Sequence, residues 1–334
     1  MMYTPKNILV TGGAGFIASH FVHYYQIHYP EIFIVNLDKL TYAGSLNNLK
    51  NLPNPTQHHF VQGDILNKQL VLSVLKDFTV DTIVHFAAET HVDRSINTPE
   101  RFIQTNILGT FTLLDVCRKY WLEKLALGKA DCRFHHISTD EVYGSLQKDE
   151  PAFTELTPYR PNSPYSASKA SSDYLVRAYH HTYGLPITIT NCSNNYGLFQ
   201  HNEKFIPTII DCCLQEKSIP VYGDGSNIRD WLYVEDHCSG IDKVIRSGSL
   251  GEGYNIGGNT ELTNLEVIET ICEVLNNIRP INYKYSDLIT FIKDRPGHDW
   301  RYAVNTAKIN KELNWQPKKS FQSGILNILS SYAF

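Results

Sequence analysis

The sequence predicts an α/β protein built on a doubly wound parallel sheet, with a smaller C-terminal lobe. Three observations predict this fold class. Short apolar runs alternate with helical patterns of roughly 10–20 residues over the first half of the chain, which is typical of parallel strands joined by helices. A glycine-rich turn follows the first run, and polar side chains follow several later ones. After residue 194 the strand patterns become short and irregular, which indicates a second lobe.

Composition limits the function classes. A chain of 334 residues can bury a sizeable core, and we expect two domains, 1–193 and mainly 194–334, with some of the later chain returning to the first. Apolar content of 42% and charged content of 19% are ordinary for a globular protein. A net charge of −4 without a basic run argues against nucleic-acid binding.

Cysteine and histidine usage bears on compartment and metals. The seven cysteines are odd in number and show no Cys-x-x-Cys spacing, so we expect reduced thiols. The N-terminal apolar run is too short for a secretion signal, and no run reaches the roughly 18 apolar residues of a membrane helix. We therefore expect a cytoplasmic protein with no membrane partner. None of the 14 histidines has ligand spacing, so no metal site is predicted.

The first strand, residues 7–10, leads into a glycine-rich turn and a helix. Gly13-x-Gly15-x-x-Ala18 fits a dinucleotide-binding fingerprint, in which alanine is tolerated at the last place. Glycines permit a tight turn and let the backbone approach a pyrophosphate at the helix N-terminus. The alternative is an ordinary glycine turn between a strand and a helix.

Later strands favour the nucleotide interpretation. The second strand, residues 32–37, precedes Asp38, which stands 23 residues after Gly15. A carboxylate there accepts the ribose hydroxyls of NAD and repels the 2′-phosphate of NADP, although the adjacent Lys39 would tolerate that phosphate. We predict NAD. The third strand, residues 60–63, precedes Asp64 and Ile65, and the fourth, residues 82–86, precedes two small alanines.

Residues 91–96 follow the fourth strand and read His-Val-Asp-Arg-Ser-Ile. Four polar side chains at the predicted cofactor edge favour substrate contacts. A solvated loop with an internal pair between Asp93 and Arg94 is an equally open alternative. Residues 99–121 are predicted to be helical, and residues 133–138 and 187–191 to be the fifth and sixth strands.

The fifth strand delivers three adjacent polar residues, Thr139, Asp140 and Glu141, to its carboxyl end. A helix follows, with Pro164 suited to its first turn. Tyr165 and Lys169 are four residues apart and therefore share a face of that helix. We expect the ammonium to lower the pKa of the phenol and make it a general base.

Neither feature is decisive alone. Tyr120 and Lys124 have the same spacing, and we interpret them as a solvated helix face. Asp140 and Glu141 have a solvated pair at a strand end as their alternative. Within a nucleotide-binding fold we favour catalysis, because each carboxylate raises the pKa of the other and the pair then holds one proton.

Several motifs together carry a family resemblance. They are Thr11-Gly-Gly-Ala-Gly-Phe-Ile17, Asp38-Lys-Leu-Thr-Tyr-Ala-Gly44, Ala87-Ala-Glu-Thr-His-Val-Asp-Arg-Ser-Ile96, Ser138-Thr-Asp-Glu-Val-Tyr-Gly144, Tyr165-Ser-Ala-Ser-Lys169, Asn194-Asn-Tyr-Gly197, Arg229-Asp-Trp-Leu-Tyr-Val-Glu-Asp236 and Arg295-Pro-Gly-His298. The chain resembles the extended short-chain dehydrogenases that act on nucleotide sugars, most of all the dTDP-glucose 4,6-dehydratase family. Related epimerases and decarboxylases lack the Asp-Glu pair. Ala18 replaces a family glycine, and the segment 145–158 is shorter than in many members.

The resemblance implies a Rossmann domain, NAD as cofactor, a sugar-nucleotide substrate and a homodimer. It places NAD at Gly12, Gly15, Phe16, Ile17, Asp38, Lys39, Leu40, Thr41, Asp64, Ile65, Phe86, Ala87, Ala88, Thr90, Thr105, Tyr165, Lys169 and Asn195. It places the substrate at Thr90, Thr139, Asn194, Lys204, Phe205, Pro220, Val221, Tyr222, Arg229, Asn264, Asp294, Arg295, Pro296, Gly297 and His298. Arg229 and Arg295 suit a pyrophosphate, with surface ion pairs, such as one between Arg229 and Asp230, as the alternative.

The resemblance also implies a reaction. Tyr165 would take the proton from the carbon-4 hydroxyl of glucose, held by Thr139, while hydride passes to NAD. Glu141 would then remove the carbon-5 proton, Asp140 would protonate the hydroxyl leaving carbon 6, and hydride would return to carbon 6. The product would be a precursor of deoxysugars such as rhamnose. The alternatives are dehydration of another nucleotide sugar such as UDP-glucose, 4-epimerisation, and a non-catalytic NAD-binding sensor.

Overall fold

The structure is a computed structural model that describes residues 2–294 and 299–332. Its strands are β1 (Asn7–Thr11), β2 (Phe33–Asp38), β3 (His58–Gln62), β4 (Thr82–His85), β5 (Arg133–Thr139), β6 (Ile187–Cys192), β7 (Asn194–Tyr196), β8 (Ile219–Tyr222), β9 (Ile228–Tyr233), β10 (Gly253–Ile256), β11 (Glu261–Thr263), β12 (Ile289–Ile292) and β13 (Arg301–Tyr302). Its α-helices are α1 (Phe16–His28), α2 (Lys68–Asp77), α3 (Val92–Asn97), α4 (Pro99–Phe102), α5 (Thr110–Cys117), α6 (Pro164–Tyr183), α7 (Phe205–Leu214), α8 (Val234–Ser247), α9 (Asn264–Ile278), α10 (Ala307–Leu313) and α11 (Phe321–Leu329).

Seven parallel strands form the main sheet, in the order β3-β2-β1-β4-β5-β6-β10. The six predicted strands are confirmed, with bounds that differ by one or two residues. β4 and β5 are buried along their whole length, which explains why their sequences do not alternate between apolar and polar residues. The chain order reverses between β1 and β4, and this reversal opens a crevice at the carboxyl ends of the strands.

Helices cover both faces of this sheet and confirm the doubly wound fold. On one face α1 packs against α8, through side chains such as Phe21, Ile241 and Val244. On the other face α2, α5 and α6 enclose a second core that includes Leu113 and Val176. Both cores are closed to solvent, so the crevice edge is where this part of the chain can meet a ligand.

The helix predicted for residues 99–121 is confirmed and runs to Lys124, but it is not a regular α-helix. Two wider π-helical stretches, Ile103–Gly109 and Arg118–Lys124, flank α5. Thr110 Oγ1 and Ser172 Oγ both donate to the carbonyl of Asn106, at 2.6 and 2.7 Å. They compete with the backbone N–H that would close a regular turn there. The sequence period alone does not reveal this competition.

The interpretation of Tyr120 as part of a solvated face is wrong. Its side chain is buried in the core between α2, α5 and α6, and only Lys124 of this pair is exposed. Burying the aromatic ring of Tyr120 stabilises the protein more than leaving its single hydroxyl in water would. The side chain therefore faces the core.

The later chain encloses a third core between α7, α9 and α11, with Ile210, Ile271 and Ile325 at its centre. β7 begins at Asn194 and pairs with β9 rather than with the main sheet, whereas β10 and α8 return to that sheet. The domain bounds at 193 and 194 stay a prediction.

All seven cysteines are free thiols in this structure. Within the described residues, no helix is long and apolar enough to cross a membrane.

Candidate active site

One cleft lies at the carboxyl edge of β1, β2, β4 and β5 and encloses ≈ 1750 Å³ of empty space, open solvent at its mouth included. The cleft collects most of the predicted site residues. They are Gly12, Gly15, Phe16, Ile17, Asp38, Lys39, Thr41, Asp64, Ile65, Phe86, Ala87, Ala88, Thr90, Thr105, Thr139, Asp140, Glu141, Tyr165, Lys169, Asn194, Asn195 and Lys204.

The glycine-rich turn forms the floor of one end of the cleft. Gly12 has a φ of +71°, and a Cβ there would lie 2.7 Å from the Cα of Ala87. Gly15 precedes α1 with no side-chain cap, so the first N–H groups of α1 point to the cleft without a side-chain acceptor from the cap residue. This cradle fits the pyrophosphate of a dinucleotide.

Asp38 ends β2 beside this turn. Its carboxylate accepts hydrogen bonds from the N–H of Ala14 at 2.9 Å and of Leu40 at 2.7 Å. Burial raises the pKa of Asp38, and these two N–H groups oppose the rise. Leu40 itself does not line the cleft; with a φ of +56° it turns the chain so that its N–H meets Asp38.

Lys39 forms an ion pair with Asp64, with 2.6 Å between Nζ and Oδ2. The sequence left open whether Lys39 would accept the 2′-phosphate of NADP. In the structure its ammonium pairs with the carboxylate of Asp64, which leaves it less available to a 2′-phosphate.

Thr139 is the last residue of β5, and Asp140–Tyr143 form a single tight turn immediately after it. The Oγ1 of Thr139 accepts from the N–H of Glu141 and donates to Oδ1 of Asp140, both at 3.3 Å. This turn therefore fixes all three side chains relative to one another at the mouth of the sheet.

Asp140 is the more deeply buried acid, with 2% of its surface exposed. Burial raises the pKa of Asp140 well above its usual range, and the negative charges of Glu141 and Asp230 raise it further. Its Oδ2 has no hydrogen-bond partner among the described residues. These surroundings favour the protonated form of Asp140, which is the form that the acid role predicted from the sequence requires.

Tyr165 and Lys169 both reach the cleft from α6. Ser163 caps this helix through a reciprocal pair with Ser166, and Pro164 occupies its first position as predicted. Lys169 Nζ donates to the carbonyl of Ile137 at 2.8 Å, which aims the ammonium at the end of β5.

The expectation that the pKa of Tyr165 lies below its usual range is wrong for this structure. Burial raises the pKa of Tyr165 well above that range, Glu141 adds to the rise, and a hydrogen bond with Thr139 opposes it. Burial also lowers the pKa of Lys169 to about 8. The sequence showed the spacing of the two side chains but not how completely both are removed from water.

The other predicted substrate residues lie outside the cleft lining. Phe205 begins α7 and stacks on Trp231, whereas Asn264 begins α9. The remainder stand on or near β8 and β9 and comprise Pro220, Val221, Tyr222, Arg229 and Asp294. Arg295, Pro296, Gly297 and His298 lie outside the described residues.

Arg229 is held mainly by backbone groups. Its guanidinium donates to the carbonyls of Ile228 at 2.7 Å and Asp299 at 3.0 Å, and it stacks on the ring of Tyr302. Its charge nevertheless reaches the turn Asp140–Tyr143, since it partly offsets the rise in the pKa of Asp140.

Residues 91–96 are neither a solvated loop nor a set of direct cleft contacts. Residues 92–97 form α3, which His91 caps by accepting from the N–H of Arg94. Arg94 lies 3.6 Å from the ring centroid of Tyr42 and donates to Glu203 at 2.8 Å. Tyr42 and Glu203 line the cleft but were not among the predicted site residues. Tyr42 follows Thr41 and Glu203 precedes Lys204 in the sequence. This proximity to predicted site residues was the one indication in the sequence that they line the cleft.

Comparison with known proteins decides the family. A family model described as GDP-mannose 4,6 dehydratase matches residues 9–328. The chain is 50% identical to dTDP-glucose 4,6-dehydratase of Haemophilus influenzae over 98% of both chains. It is 51% identical to the enzyme of the same name from Neisseria gonorrhoeae, over 98% of this chain and 95% of that one.

The chain belongs to the dTDP-glucose 4,6-dehydratase family.

Solved structures agree with this family. The crystal structure of dTDP-glucose 4,6-dehydratase from Bacillus anthracis in complex with NAD has a TM-score of 0.86 and 47% identity, covering 97% of this chain and 96% of that one. UDP-glucose 4-epimerase from Thermotoga maritima has a TM-score of 0.84 but 25% identity, covering 97% of both chains. The fold is thus shared with epimerases, and sequence identity separates the dTDP-glucose 4,6-dehydratase family from them.

Proposed function

We propose that this protein is a lyase that converts dTDP-glucose to dTDP-4-keto-6-deoxyglucose, a precursor of deoxysugars such as rhamnose. The observation that carries the proposal is the buried Asp140, whose pKa is raised, beside Glu141 in the same cleft as Tyr165 and Lys169. Elimination of water needs an acid and a base on adjacent carbons, which an epimerase does not require.

NAD is the proposed cofactor. Its pyrophosphate would rest on the turn at Gly12 and Gly15, and its ribose hydroxyls on Asp38. When bound, NAD supplies the oxidation at carbon 4 and the matching reduction at carbon 6, so the reaction has no net redox change. A tightly held cofactor suits this cycle, because the reduced form must stay until the sugar is complete.

Asp38 gives a test of cofactor choice. Asp38→Ala removes both the acceptor for the ribose and the charge that repels a 2′-phosphate, so NAD should bind more weakly and NADP relatively better. Titration of unliganded protein with each dinucleotide measures the ratio of the two dissociation constants. An unchanged ratio would show that Asp38 does not set the preference. Asp64→Asn is a second variant for this test. It frees Lys39 from its ion pair and should improve NADP binding while leaving the carboxylate of Asp38 in place.

The protein's own groups then act in order. The Tyr165 phenolate accepts the proton of the carbon-4 hydroxyl, whose oxygen also receives a hydrogen bond from Thr139. The positive charge of Lys169 favours that phenolate electrostatically. Once carbon 4 is a ketone, Glu141 removes the acidified carbon-5 proton, and Asp140 protonates the hydroxyl that leaves carbon 6.

A panel of sugar nucleotides tests this function. Purified protein is incubated separately with dTDP-, UDP-, CDP- and GDP-glucose, and the products are separated by mass. We expect loss of water from dTDP-glucose to give a 4-keto-6-deoxy product. Loss of water only from another nucleotide would move the assignment to that sugar, and a product of unchanged mass with inverted carbon 4 would identify an epimerase.

A homodimer is the proposed assembly. Ile103 and Leu108 on the helical run 99–124 are 50% and 41% exposed, and Tyr174 and Tyr183 on the adjacent α6 are 58% and 48% exposed. Apolar side chains exposed on two packed helices favour a partner surface. Tyr174→Asp should therefore reduce the mass in solution to that of one 38.1 kDa chain, as measured by light scattering. The matched control is Leu156→Asp, since Leu156 is 91% exposed but lies elsewhere; a wild-type protein of one-chain mass would contradict the proposal.

Two further assignments belong with this function. Residues 1–193 would bind NAD, and residues 194–334 would mainly bind the sugar nucleotide, with β10 and α8 returning to the first domain. A cytoplasmic location is supported by seven free thiols, which are typical of a reducing compartment.

A further inference from the structure

On α6, one turn beyond Lys169, lies a buried carboxylate that the proposed reaction does not use. Asp173 stands four residues after Lys169, on the same face of the helix, and its surface is 0% exposed. A fully buried carboxylate is costly unless its surroundings hold its charge. The groups around Asp173 therefore indicate its role.

Three donors from three parts of the chain converge on one oxygen of Asp173. Its Oδ2 accepts from Ser138 Oγ at 2.8 Å, from Tyr159 OH at 2.9 Å and, more weakly, from Asn191 Nδ2 at 3.4 Å. Asn191 Nδ2 also lies 3.2 Å from the carbonyl of Thr139. Through these hydrogen bonds the carboxylate connects β6 and the loop before α6 to the end of β5, where the turn Asp140–Tyr143 begins.

The other oxygen faces a histidine. His136 Nε2 lies 3.2 Å from Asp173 Oδ1, although the two are poorly aligned for a hydrogen bond. Burial lowers the pKa of His136 to about 4, so the ring is neutral near pH 7. Burial alone would raise the pKa of Asp173, but contacts with His136, Lys169 and Ser138 outweigh it, and the pKa lies below its usual range. Asp173 therefore keeps its negative charge.

Lys169 stands one helical turn before Asp173 on α6, and its charge lowers the pKa of Asp173. Burial lowers the pKa of Lys169 to about 8, and the negative charge of Asp173 opposes that fall. Burial keeps the neighbouring His85, His136, Tyr143, Tyr159 and Cys192 in their neutral forms. Arg177 stands one turn after Asp173 on α6.

We propose that Asp173 is a positioning residue, which touches neither substrate nor cofactor but keeps the Lys169 ammonium charged and fixes the end of β5 that carries Thr139. The inference rests on the proposed function, because only there does Lys169 act on Tyr165. Without Asp173, the ammonium would lose its proton at a lower pH, and the phenolate of Tyr165 would lose its electrostatic support over the working range.

The test measures Lys169 directly in the unliganded protein. Lys169 lines the cleft, so acetic anhydride can label its free amine, and mass spectrometry of the labelled peptide against pH gives its pKa. We expect a wild-type pKa of about 8 and a fall of about 1 unit in Asp173→Asn, since a nearby opposite charge shifts a pKa by about 1–3 units. The alkaline limb of the pH profile for carbon-4 oxidation should move down by a similar amount. The labelling needs no substrate, so it can fail or succeed independently of the proposed function.

A matched control separates this role from general packing. Asp242 is another buried carboxylate, 3% exposed, which accepts from Tyr25 OH, Tyr29 OH and Arg246 Nε, each at 2.8 Å, away from the cleft. Asp242→Asn should lower the melting temperature without moving the labelling pKa of Lys169. An equal shift in both variants would overturn the proposal, as would a folded Asp173→Asn protein whose Lys169 titrates as in the wild type.

A second variant covers the case in which Asp173→Asn does not fold. Asp173→Ser removes the charge but keeps a hydroxyl oxygen on the side that faces Ser138 and Tyr159. The labelling pKa of Lys169 should then fall in the same direction as expected for Asp173→Asn, because the opposite charge is gone. A folded Asp173→Ser protein whose Lys169 titrates as in the wild type would overturn the proposal.

Discussion

Replacing Tyr165 with phenylalanine should slow oxidation at carbon 4 by about 10²–10⁴-fold, the usual cost of losing a general base. This corresponds to roughly 3–5 kcal/mol of transition-state stabilisation. The ring stays in place and only the hydroxyl is lost, so binding of the sugar nucleotide should change far less than the rate. Stopped-flow absorbance of enzyme-bound NADH measures the step.

The chain supplies its own control for Tyr165. Tyr120 has the same spacing to a lysine but is buried in the core between α2, α5 and α6 and does not line the cleft. Tyr120→Phe should leave the oxidation rate near that of the wild type. A larger loss in Tyr120→Phe than in Tyr165→Phe would mean that the base has been assigned to the wrong tyrosine.

Replacing Glu141 with glutamine should block elimination but spare oxidation. The ketone at carbon 4 forms before carbon 5 loses its proton, and Tyr165 and Lys169 are untouched. Enzyme-bound NADH should therefore accumulate, solvent deuterium should no longer enter carbon 5, and overall turnover should fall by about 10²–10⁴-fold. Wild-type turnover in Glu141→Gln would show that Glu141 is not the base.

Asp140→Asn should behave differently, because it removes the acid rather than the base. Carbon 5 should still exchange with solvent deuterium, while departure of the carbon-6 hydroxyl becomes slow. The structure also gives the sign of the pH dependence: the pKa of Asp140 is raised, so its proton is present well above the usual range of an aspartate and is lost only as pH rises through that raised value. Elimination should decline on the alkaline side in the wild type, and this decline should disappear in Asp140→Asn.

Much of the fold could be predicted from the sequence because its signals are local. Each buried parallel strand is a short apolar run, and the residues after it fall at one edge of the sheet, so Asp38, Thr139 and Asp140 could be placed together without coordinates. Pro164 predicted the start of α6 for the same reason, since the first turn of a helix tolerates a residue without an N–H.

What could not be predicted depends on contacts between distant residues. Tyr120 is buried because of how the helical run 99–124 packs against α2 and α6, and its sequence neighbours do not reveal that packing. Arg94 contacts the ring of Tyr42 and donates to Glu203. These residues are far apart in the sequence, so the sequence alone does not show that they meet. The raised pKa of Tyr165 follows from depth of burial, which spacing on a helix cannot measure.

The fate of the hydrogen on carbon 4 tests the central claim most directly. dTDP-glucose that carries deuterium at carbon 4 is converted by the wild-type protein, and the product is analysed by mass spectrometry and proton NMR. The account predicts that the deuterium reappears on carbon 6 of the 4-keto-6-deoxy product, while solvent hydrogen enters carbon 5. Deuterium that remains on carbon 4 of an epimerised sugar, or that is lost to solvent, would contradict it.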